Sequence, residues 1–260
     1  IHASSIHFFG SLIGAAIAGL KGIPLVTTCH LSGLEALPRR TRILASVYEK
    51  TCGRFILRRS KRVIAVSNAV RDHVITLGVH PDKVEVIENG VDAERFHPGQ
   101  RANDAIQVTF VGRMIANKGP LEVLDAVARI DSPELRITFA GEGPLAGEIA
   151  QHALQDQRIE NLGHSDDIDQ LLAKTDIFIR PSSSEGRSLA ILEAMAAGCA
   201  VITTDIAANG ALIEHGRTGI LIPVGDPAAL HHALTQLVEN QPLRQRLGTA
   251  ARVEVLGSTW

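Results

Sequence analysis

Short apolar runs alternate with stretches of helical periodicity along the whole chain of 260 residues. Each apolar run has the length of a buried strand, and the stretches between the runs place small and apolar residues at helical spacing. Repeated strand–helix units predict parallel sheets joined by right-handed crossovers, so the predicted fold class is α/β. The strand candidates are IHAS, PLVTTCH, RVIAVS and KVEVIENG in the first part, and IQVTFVG, LRITFAG, RIENLG, IFIRPS, AVITTD and GILIPV in the second.

One stretch, Gly90–Ala105, loses this periodicity and collects Pro98, Gly99 and polar residues, which is typical of a linker. We therefore predict two Rossmann-like domains with parallel sheets, residues 1–98 and 99–260. The first offers four strand candidates against six in the second, so we expect it to be incomplete. Because the chain begins without a methionine and stops just after an apolar patch, we expect truncation at both ends.

Composition narrows the functional classes. Apolar residues make up 45% of the chain and aromatic residues only 3%, which suits strands that are buried on both faces. A net charge of −2 argues against a general role in nucleic-acid binding. Cys29, Cys52 and Cys199 are widely spaced, so we expect neither a disulfide framework nor a cysteine zinc site.

The apolar run Ile6–Leu20 is too short for a membrane span, which needs about 20 residues. It also lacks the basic lead-in of a signal peptide. We expect a buried helix in this run, and a cytoplasmic protein, since the cysteine pattern fits a reducing compartment.

Positive charge is concentrated in residues 39–62, where nine basic residues stand against the single acid Glu49. A basic amphipathic surface of this kind suits anionic lipid headgroups or a charged acceptor, and predicts peripheral contact with the inner face of a membrane. The alternative is a solvated helix face whose apolar side packs on the sheet. The basic residues are Arg39, Arg40, Arg42, Lys50, Arg54, Arg58, Arg59, Lys61 and Arg62, and the interleaved apolar residues are Ile43, Leu44, Val47, Phe55, Ile56 and Leu57.

Candidate chemistry follows two strands of the second domain. Arg113 and Lys118 lie in the loop after IQVTFVG, at the end of a parallel strand where open α/β sheets bind ligands. A forked guanidinium and a mobile ammonium together suit a diphosphate. In FAGEGP, Gly141 and Gly143 permit close approach, although the dinucleotide fingerprint would need a third glycine.

The segment Ser182–Asp205 predicts a loop, a helix and a buried strand. Gly186 frees the backbone for unusual dihedral angles, and Ser188 is a candidate N-cap of a helix whose first N–H groups suit a phosphate. Glu185 in the loop and Glu193 in the helix flank this position. Carboxylates accept hydrogen bonds from hydroxyls, so the pair suits a sugar nucleotide. The sequence offers neither a metal-ligand cluster nor a Gly-x-Ser-x-Gly elbow beside it.

Together these blocks resemble the family-four retaining glycosyltransferases with the GT-B fold. PSSSEGRSLAILEAMAAGCAVITTD is similar to the donor-site signature of that family, and VGRMIANKG, GEGP, LGHSDDI and HGRTGILIPVGD follow the order of its donor-domain blocks. PLVTTCH, RVIAVSNAV and VIENGVD resemble blocks of its acceptor domain. The resemblance covers nearly the whole chain and implies that residues 1–98 form the acceptor side and residues 99–260 bind the donor.

The resemblance also implies roles for individual residues. Arg113 and Lys118 would stabilise the departing diphosphate in place of a metal, so no metal is expected, and no cofactor besides the nucleotide-sugar substrate. Glu185 would bind sugar hydroxyls and orient the anomeric carbon, and Glu193 would accept the ribose hydroxyls. His30 would face the cleft from the acceptor side, near the transferred sugar.

Further donor-binding positions carry over from the same blocks. Backbone amides from Arg187 to Leu189 would hold the distal phosphate, and the Leu162–Gly163 turn would lie near the base. The donor-binding set implied by the resemblance is Gly112, Gly141, Gly163, Gly186, Arg187, Ser188, Leu189 and Glu193.

The implied reaction moves a hexosyl unit from a UDP-, GDP- or ADP-linked sugar to a hydroxyl of a sugar, glycan or lipid-linked acceptor, with retention at the anomeric centre. Polysaccharide, lipopolysaccharide or glycolipid biosynthesis would be its setting. Two alternatives stay open: a sugar-nucleotide epimerase of the same fold, which would need more acids and histidines in the cleft, and a non-catalytic nucleotide-sugar-binding fragment.

Two segments depart from the family pattern. Arg187 and Ser188 stand where the family often has Phe-Gly, so Arg187 either adds a cation beside the phosphates or points to solvent. In AANGALIEHG, Ala211 stands where an acid would be expected, which weakens any inference about that loop.

Overall fold

The structure, a computed structural model, divides into two compact units. No helix of the part that it describes is long and apolar enough to cross a bilayer. The described residues are 1–31, 39–101 and 105–258. The first unit consists of Ile1–Asn89 and Ser184–Arg187, and the second of Gly90–Ser183 and Ser188–Trp260.

The boundary between the units follows Asn89, whereas the sequence placed the division after residue 98. Residues 90–98 group with the second unit because Val91 and Phe96 are buried in one of its cores. Loss of periodicity therefore marks irregular backbone here, and Val91 and Phe96 pack this backbone onto the second unit.

The first unit contains a parallel sheet of four strands in the order β1-β2-β3-β4. All four predicted strands are present, and each lies inside its predicted apolar run. The strands are β1 (His2–Ser4), β2 (Val26–Cys29), β3 (Arg62–Ala65) and β4 (Val84–Val86).

Helices pack on this sheet and bury one core. Ile56, Val63 and Val70 are fully buried there, as expected for strands and helices that alternate along the chain. Ser67 caps α4 by accepting a hydrogen bond from the amide of Val70 at 3.2 Å. The helices are α1 (Phe9–Lys21), α2 (Arg39–Tyr48), a π-helical segment (Glu49–Gly53), α3 (Arg54–Arg59), α4 (Asn68–Thr76) and a 3-10 turn (Pro81–Lys83).

Helix α1 corrects the prediction of a buried helix. Its Ala15 and Ala18 face the core, but Phe9 is 71% exposed and Leu20 is 88% exposed. The small residues on one side of the helix pack closely on the core, and the larger apolar residues lie on the opposite side.

The prediction that residues 39–62 form one basic amphipathic surface also needs a correction. Ile56 and Leu57 are buried in the core, whereas Ile43, Leu44 and Val47 are exposed. Three of the four exposed large apolar residues of this region thus lie on α2, and the fourth, Phe55, is 42% exposed on α3.

The second unit contains a parallel sheet of six strands in the order β10-β9-β8-β5-β6-β7. All six strands predicted from the sequence are present. They are β5 (Ile106–Val111), β6 (Leu135–Ala140), β7 (Ile159–Gly163), β8 (Ile177–Arg180), β9 (Ala200–Thr204) and β10 (Ile220–Ile222).

Helices follow these strands, and some of them begin after a residue whose side chain caps the first turn. Asp226 accepts a hydrogen bond from the amide of Ala229 at 2.9 Å, and Pro227 occupies the first helical position. The helices are α5 (Pro120–Ala128), α6 (Ala146–Gln155), α7 (Ile168–Ala173), α8 (Leu189–Ala196), α9 (Ala207–Gly210), α10 (Pro227–Glu239) and α11 (Gln241–Val255), with 3-10 turns at Ala116–Lys118 and Leu256–Ser258.

Two separate cores lie against this sheet. One contains Phe110 and Phe139, whose ring centroids are 5.7 Å apart, and the other contains Phe178 and Val201. Side chains on both faces of the strands are thus buried, which explains why the strands read as continuous apolar runs.

Candidate functional site

A cleft of about 590 Å³ lies at the carboxyl ends of β5, β6 and β7. This edge of an open parallel sheet is where such folds bind ligands, and the volume is within the usual range for a small-molecule site. We call it the glycine-lined cleft. Its lining consists of Val111, Gly112, Arg113, Ala140, Gly141, Glu142, Gly143, His164, Ser165 and Ile168.

The loops around the cleft are held together by backbone hydrogen bonds. The amide of Gly112 donates to Ala140 at 2.9 Å, and the amide of Gly141 donates to Gly163 at 2.6 Å. Gly141 has φ of 141°, and a Cβ atom there would overlap the carbonyl oxygen of Gly112. Gly141 is therefore needed for the close approach of its loop to the loop after β5, whereas Gly163 has φ of 64° and nothing within 4 Å of its Cβ position.

Arg113 and Lys118 lie in the same loop but in different surroundings. Arg113 is exposed and lines the cleft, whereas Lys118 is buried at the end of a 3-10 turn and is not among the lining residues. The amide of Ser183 donates to the carbonyl oxygen of Asn117 at 3.0 Å, so this loop contacts the loop after β8.

Arg180 is a cation of this region that the sequence reading missed. Its Nη1 donates to the carbonyl oxygen of Val111 at 2.9 Å and its Nε donates to Ser182 at 3.1 Å. The side chain is buried and bridges the ends of β5 and β8. An arginine at the end of a buried strand, directly before Pro181, was the available signal.

Helix α8 begins where the sequence predicted. The hydroxyl of Ser188 accepts a hydrogen bond from the amide of Ile191 at 3.4 Å, and Leu189 is about half exposed. Glu193 is partly buried in the middle of the helix. Burial raises the pKa of Glu193, while the charges of Arg95 and Arg180 act in the opposite direction.

Residues 184–187 group with the first unit by their contacts. Arg187 is buried there: its guanidinium pairs with Glu88 at 3.0 Å and donates to the carbonyl oxygen of Asn89 at 3.1 Å. The Asn89 amide returns a hydrogen bond to the carbonyl oxygen of Arg187 at 3.0 Å. Burial lowers the pKa of Arg187, against the attraction of Glu88. Arg187 therefore does not point to solvent.

Gly186 lies against the carbonyl oxygen of His30, and any Cβ atom at this position would overlap that oxygen. Gly186 is not among the glycines with positive φ. Contrary to the sequence interpretation, this glycine is required by close packing and not by an unusual dihedral angle. Glu185, the adjoining residue, is buried.

His30 follows β2 in the first unit, as predicted, and its Nε2 lies 3.2 Å from the hydroxyl of Ser4. Desolvation lowers the pKa of His30, and repulsion from His2 lowers it further by a smaller amount. A neutral imidazole at this strand end can both donate and accept hydrogen bonds.

The sequence reading also missed His164, Ser165 and Glu142 as lining residues of the glycine-lined cleft. His164 lies 3.4 Å from Asp166 and is exposed. The block LGHSDDI, which follows a strand, was the signal that could have indicated them. Among the described residues, no group of three or more His, Cys, Asp or Glu residues could hold a metal ion.

Two Rossmann-like units with parallel sheets define a GT-B architecture, and the motifs at the strand ends are those of glycosyltransferases. The chain belongs to the glycosyl transferases group 1, family four: the model described as "Glycosyl transferases group 1" matches residues 105–240 and the model "Glycosyltransferase Family 4" matches residues 1–95.

Curated relatives include a UDP-Gal:alpha-D-GlcNAc-diphosphoundecaprenol alpha-1,3-galactosyltransferase of Escherichia coli, 30% identical over 253 residues. That alignment covers 89% of this chain and 65% of the relative. A phosphatidyl-myo-inositol mannosyltransferase of Mycobacterium tuberculosis is 31% identical over 260 residues, covering 91% of this chain and 64% of the relative. The chain thus spans less than two thirds of the length of either relative.

Solved structures share the fold. Anabaena HepE, in complex with UDP and glucose, superposes with a TM-score of 0.83 at 21% identity, covering 96% of this chain and 71% of HepE. Sucrose-phosphate synthase from Thermosynechococcus elongatus superposes with a TM-score of 0.82 at 21% identity, covering 100% of this chain and 69% of the synthase.

Proposed function

We propose that the protein transfers a hexosyl unit from a nucleotide sugar to an acceptor hydroxyl, with retention at the anomeric centre and without a metal ion. The observation that carries the proposal is the glycine-lined cleft at the carboxyl ends of β5 to β7, in a chain of this family. One curated relative is named for UDP-Gal, and the proposal extends that class of donor, a nucleotide sugar, to this chain.

In the proposed donor complex, cations replace a metal at the diphosphate. Arg113 supports this role because it is exposed at the cleft and has a forked donor set. Lys118 would add a second positive charge from the same loop, and Arg180 lies at the adjoining strand ends. Positive charge fixed where the leaving group develops negative charge lowers the barrier to departure.

Glu193 and the start of α8 would bind the nucleotide. Glu193 is a partly buried carboxylate on a helix of mainly apolar residues, and such a group gains from ribose hydroxyls that donate to it. The first amides of α8, around Leu189, would hold the distal phosphate, because Ser188 caps the amide of Ile191 and leaves the preceding amides available.

Glu185 would bind hydroxyls of the transferred sugar, and His30 would contact the sugar or the acceptor. The support for these two roles is the family motif around Glu185 and the position of His30 at the end of β2. In this proposal the leaving phosphate assists deprotonation of the acceptor, so no protein base is assigned.

Donor binding is tested by titrating the chain with UDP-, GDP- and ADP-sugars and measuring the midpoint of thermal unfolding. A ligand that binds only the native state raises this midpoint. Arg113→Gln should weaken binding by about tenfold or more, and Glu185→Ala should abolish transfer. Arg129→Gln, an exposed cation paired with Asp125, is the matched control. Unchanged binding in Arg113→Gln would refute the site.

Product analysis separates the proposed reaction from its alternatives. A transferase forms a glycosylated acceptor whose anomeric configuration, read by NMR, matches that of the donor, and turnover should persist in EDTA. Conversion of the donor into its epimer, without transfer, would identify an epimerase. Binding without either reaction would identify a nucleotide-sugar-binding fragment.

We also propose peripheral contact with anionic membranes through residues 39–62. The support is the exposed apolar set Ile43, Leu44 and Val47 on α2, beside exposed cations that include Arg58 and Lys61. Sedimentation with vesicles should require anionic lipid and weaken with added salt, because salt screens exposed charges. Equal binding to neutral vesicles would contradict this contact.

A further inference from the structure

A second cavity, of about 430 Å³, lies in the first unit among α2, the π-helical segment, α3 and α4. We call it the basic pocket. Three of its lining residues carry a permanent positive charge, and they come from three consecutive helical segments. The lining consists of Arg42, Ser46, Glu49, Lys50, Arg54, His73, Thr76 and Leu77.

Arg54 is the best positioned of the three cations. Its Nε is buried and has no hydrogen-bond acceptor among the described residues. A Cβ atom at Gly78 would approach Nη2 of Arg54 to 2.7 Å, so the missing side chain leaves room for the guanidinium. A buried guanidinium nitrogen without an acceptor is costly, and an anion entering the pocket could supply the acceptor.

Arg42 and Lys50 complete the positive charge of the pocket. Both side chains are exposed, and neither forms an ion pair with a carboxylate in the described part of the chain. The hydroxyls of Ser46 and Thr76 add hydrogen-bonding groups at the wall. The pocket thus offers several donors around one space.

Glu49 is the one acid in this lining, and its carboxylate is already engaged. Oε1 of Glu49 is 2.8 Å from Nε2 of His7 and 3.2 Å from Nε2 of His73. Burial alone would raise the pKa of Glu49, but the hydrogen bonds from both histidines outweigh it and lower the pKa to about 2. The carboxylate orients His73 and leaves Arg42, Lys50 and Arg54 in excess.

We propose that the basic pocket binds a phosphate group, carried either by a soluble phosphomonoester or by a lipid headgroup. A phosphate has nearly two negative charges and three acceptor oxygens, which matches one forked guanidinium and two further cations. The cavity is larger than a phosphate, so the ligand includes an organic part. The site belongs to the first unit and does not depend on the proposed transferase activity.

The two sources of phosphate differ in what they require of the surroundings. A lipid headgroup would bring acyl chains, and Ile43, Leu44 and Val47 are exposed on α2 beside the face that carries Arg42 and Ser46. A soluble phosphomonoester would need only the polar lining. Both sources use the same cations.

Binding is measured on the 260-residue chain with two probes. Methyl phosphate is titrated by calorimetry, and vesicles of phosphatidylcholine doped with phosphatidic acid are compared with vesicles doped with oleate to the same charge. The pocket variant is Lys50→Gln with Arg54→Gln. The matched control is Lys21→Gln with Lys83→Gln, which removes two exposed cations of the first unit that lie outside the lining and outside residues 39–62.

We expect saturable binding of methyl phosphate, or a preference for phosphatidic acid over oleate vesicles, that falls by at least about tenfold in the pocket variant. The control variant should keep the wild-type value within about twofold. Arg42→Gln, at an exposed position, tests the same pocket if the double variant does not fold. Arg54→Lys in place of Arg54→Gln should restore part of the binding, because lysine restores the positive charge without the forked donor set of a guanidinium.

The probe that responds identifies the source of the phosphate. Saturable binding of methyl phosphate indicates a soluble ligand, whereas a preference for phosphatidic acid alone indicates a lipid headgroup. Equal losses in the pocket and control variants would overturn the proposal, because diffuse surface charge would then explain the binding. The proposal would also be overturned if neither methyl phosphate nor phosphatidic acid vesicles bound.

Discussion

The glycine-lined cleft and the basic pocket show two ways of building a concave site on a parallel sheet. The cleft is made at the carboxyl ends of β5, β6 and β7, where backbone atoms of Gly112, Gly141 and Gly163 approach one another. The pocket is made by side chains of helical segments, with Glu49 and Arg54 at its wall. The first site depends on the absence of side chains and the second on their charges.

This difference predicts how each site fails. A cleft formed by backbone contacts tolerates no added side chain where two strand ends lie against each other, as at Gly141. A shift of the backbone there would also displace the strands of the sheet. A pocket formed by helix side chains loses its charge balance when one group is changed, while the strands beside it keep their hydrogen bonds. The following predictions test this distinction, from the largest expected effect to the smallest.

Gly141→Val should be the most damaging change. The residue has φ of 141°, and the new Cβ atom would overlap the carbonyl oxygen of Gly112. Strain in the backbone and displacement of the loop should lower the free energy of unfolding by at least about 3 kcal/mol. Urea unfolding followed by circular dichroism measures it. Gly147→Ala, where a Cβ atom would meet nothing within 4 Å in helix α6, should be neutral or slightly stabilising.

An unchanged midpoint in Gly141→Val would show that the strand ends around the cleft are not held by this close approach. Nucleotide-sugar binding, measured on the same samples, should be lost with the stability and retained in Gly147→Ala. Loss of binding without loss of stability would assign Gly141 to ligand contact alone.

Acid should destabilise the first unit through Glu49. Its folded-state pKa of about 2 lies below the value of 4.5 for an unperturbed glutamate. The resulting stabilisation, about 3 kcal/mol, is fully present above the unfolded-state pKa and is lost as the pH falls from about 4.5 toward 2. Hydrogen exchange of the amides in α4, measured as a function of pH, should show this loss.

The variant Glu49→Gln should be less stable at neutral pH and should lose part of this pH dependence. Glu85→Gln, on the exposed face of β4, removes a carboxylate from the same unit and should follow the wild-type profile. Identical acid profiles for the wild type and Glu49→Gln would contradict the assignment.

The sequence predicted the ten strands of the described residues within their apolar runs. The signal was strongest for β8 and β9, because a parallel strand that is buried along its whole length reads as a continuous apolar run. The cap Ser188 was predicted equally well, since a cap is a contact between residues close in sequence. The glycines of the cleft were found for a similar reason: they directly follow the predicted strands.

Contacts between distant residues could not be predicted in this way. Arg187 pairs with Glu88 and Asn89, about a hundred positions earlier, and Arg180 donates to Val111 on a different strand. The blocks VIENGVD and VGRMIANKG contain these partners, but a block does not show which distant residue it contacts. The basic pocket was hidden for the same reason, since the sequence shows the charge of residues 39–62 but not that three of its cations share a cavity with His73 on α4.

Gly78→Ala should have an intermediate effect that reports on the basic pocket. Gly78 has φ of 90° and its open side faces the guanidinium of Arg54. The alanine should cost about 1–2 kcal/mol of unfolding free energy, mostly from the left-handed backbone conformation, since the flexible end of Arg54 can move aside. Gly22→Ala, at φ of 66° with nothing within 4 Å of its Cβ position, carries the backbone strain without the contact.

If both glycine variants lose similar stability but only Gly78→Ala weakens binding of methyl phosphate, the position of Arg54 matters to the pocket. Equal phosphate binding in Gly22→Ala and Gly78→Ala would show that the contact at Gly78 does not position Arg54.

Ser188→Ala should have the smallest effect, because it removes one side-chain cap and leaves the backbone of α8 in place. The hydroxyl of Ser188 accepts a hydrogen bond from the amide of Ile191 at 3.4 Å, so the loss should be about 1 kcal/mol, and Ser188→Gly should cost only a few tenths. Thermal unfolding gives both values. Asp226→Ala, which removes the cap of α10 and lies outside the lining of the glycine-lined cleft, should cost a similar amount but leave nucleotide-sugar affinity unchanged. If Ser188→Ala weakens that affinity while Asp226→Ala does not, the start of α8 contacts the donor phosphates; equal affinities in the two variants would remove α8 from the proposed donor site.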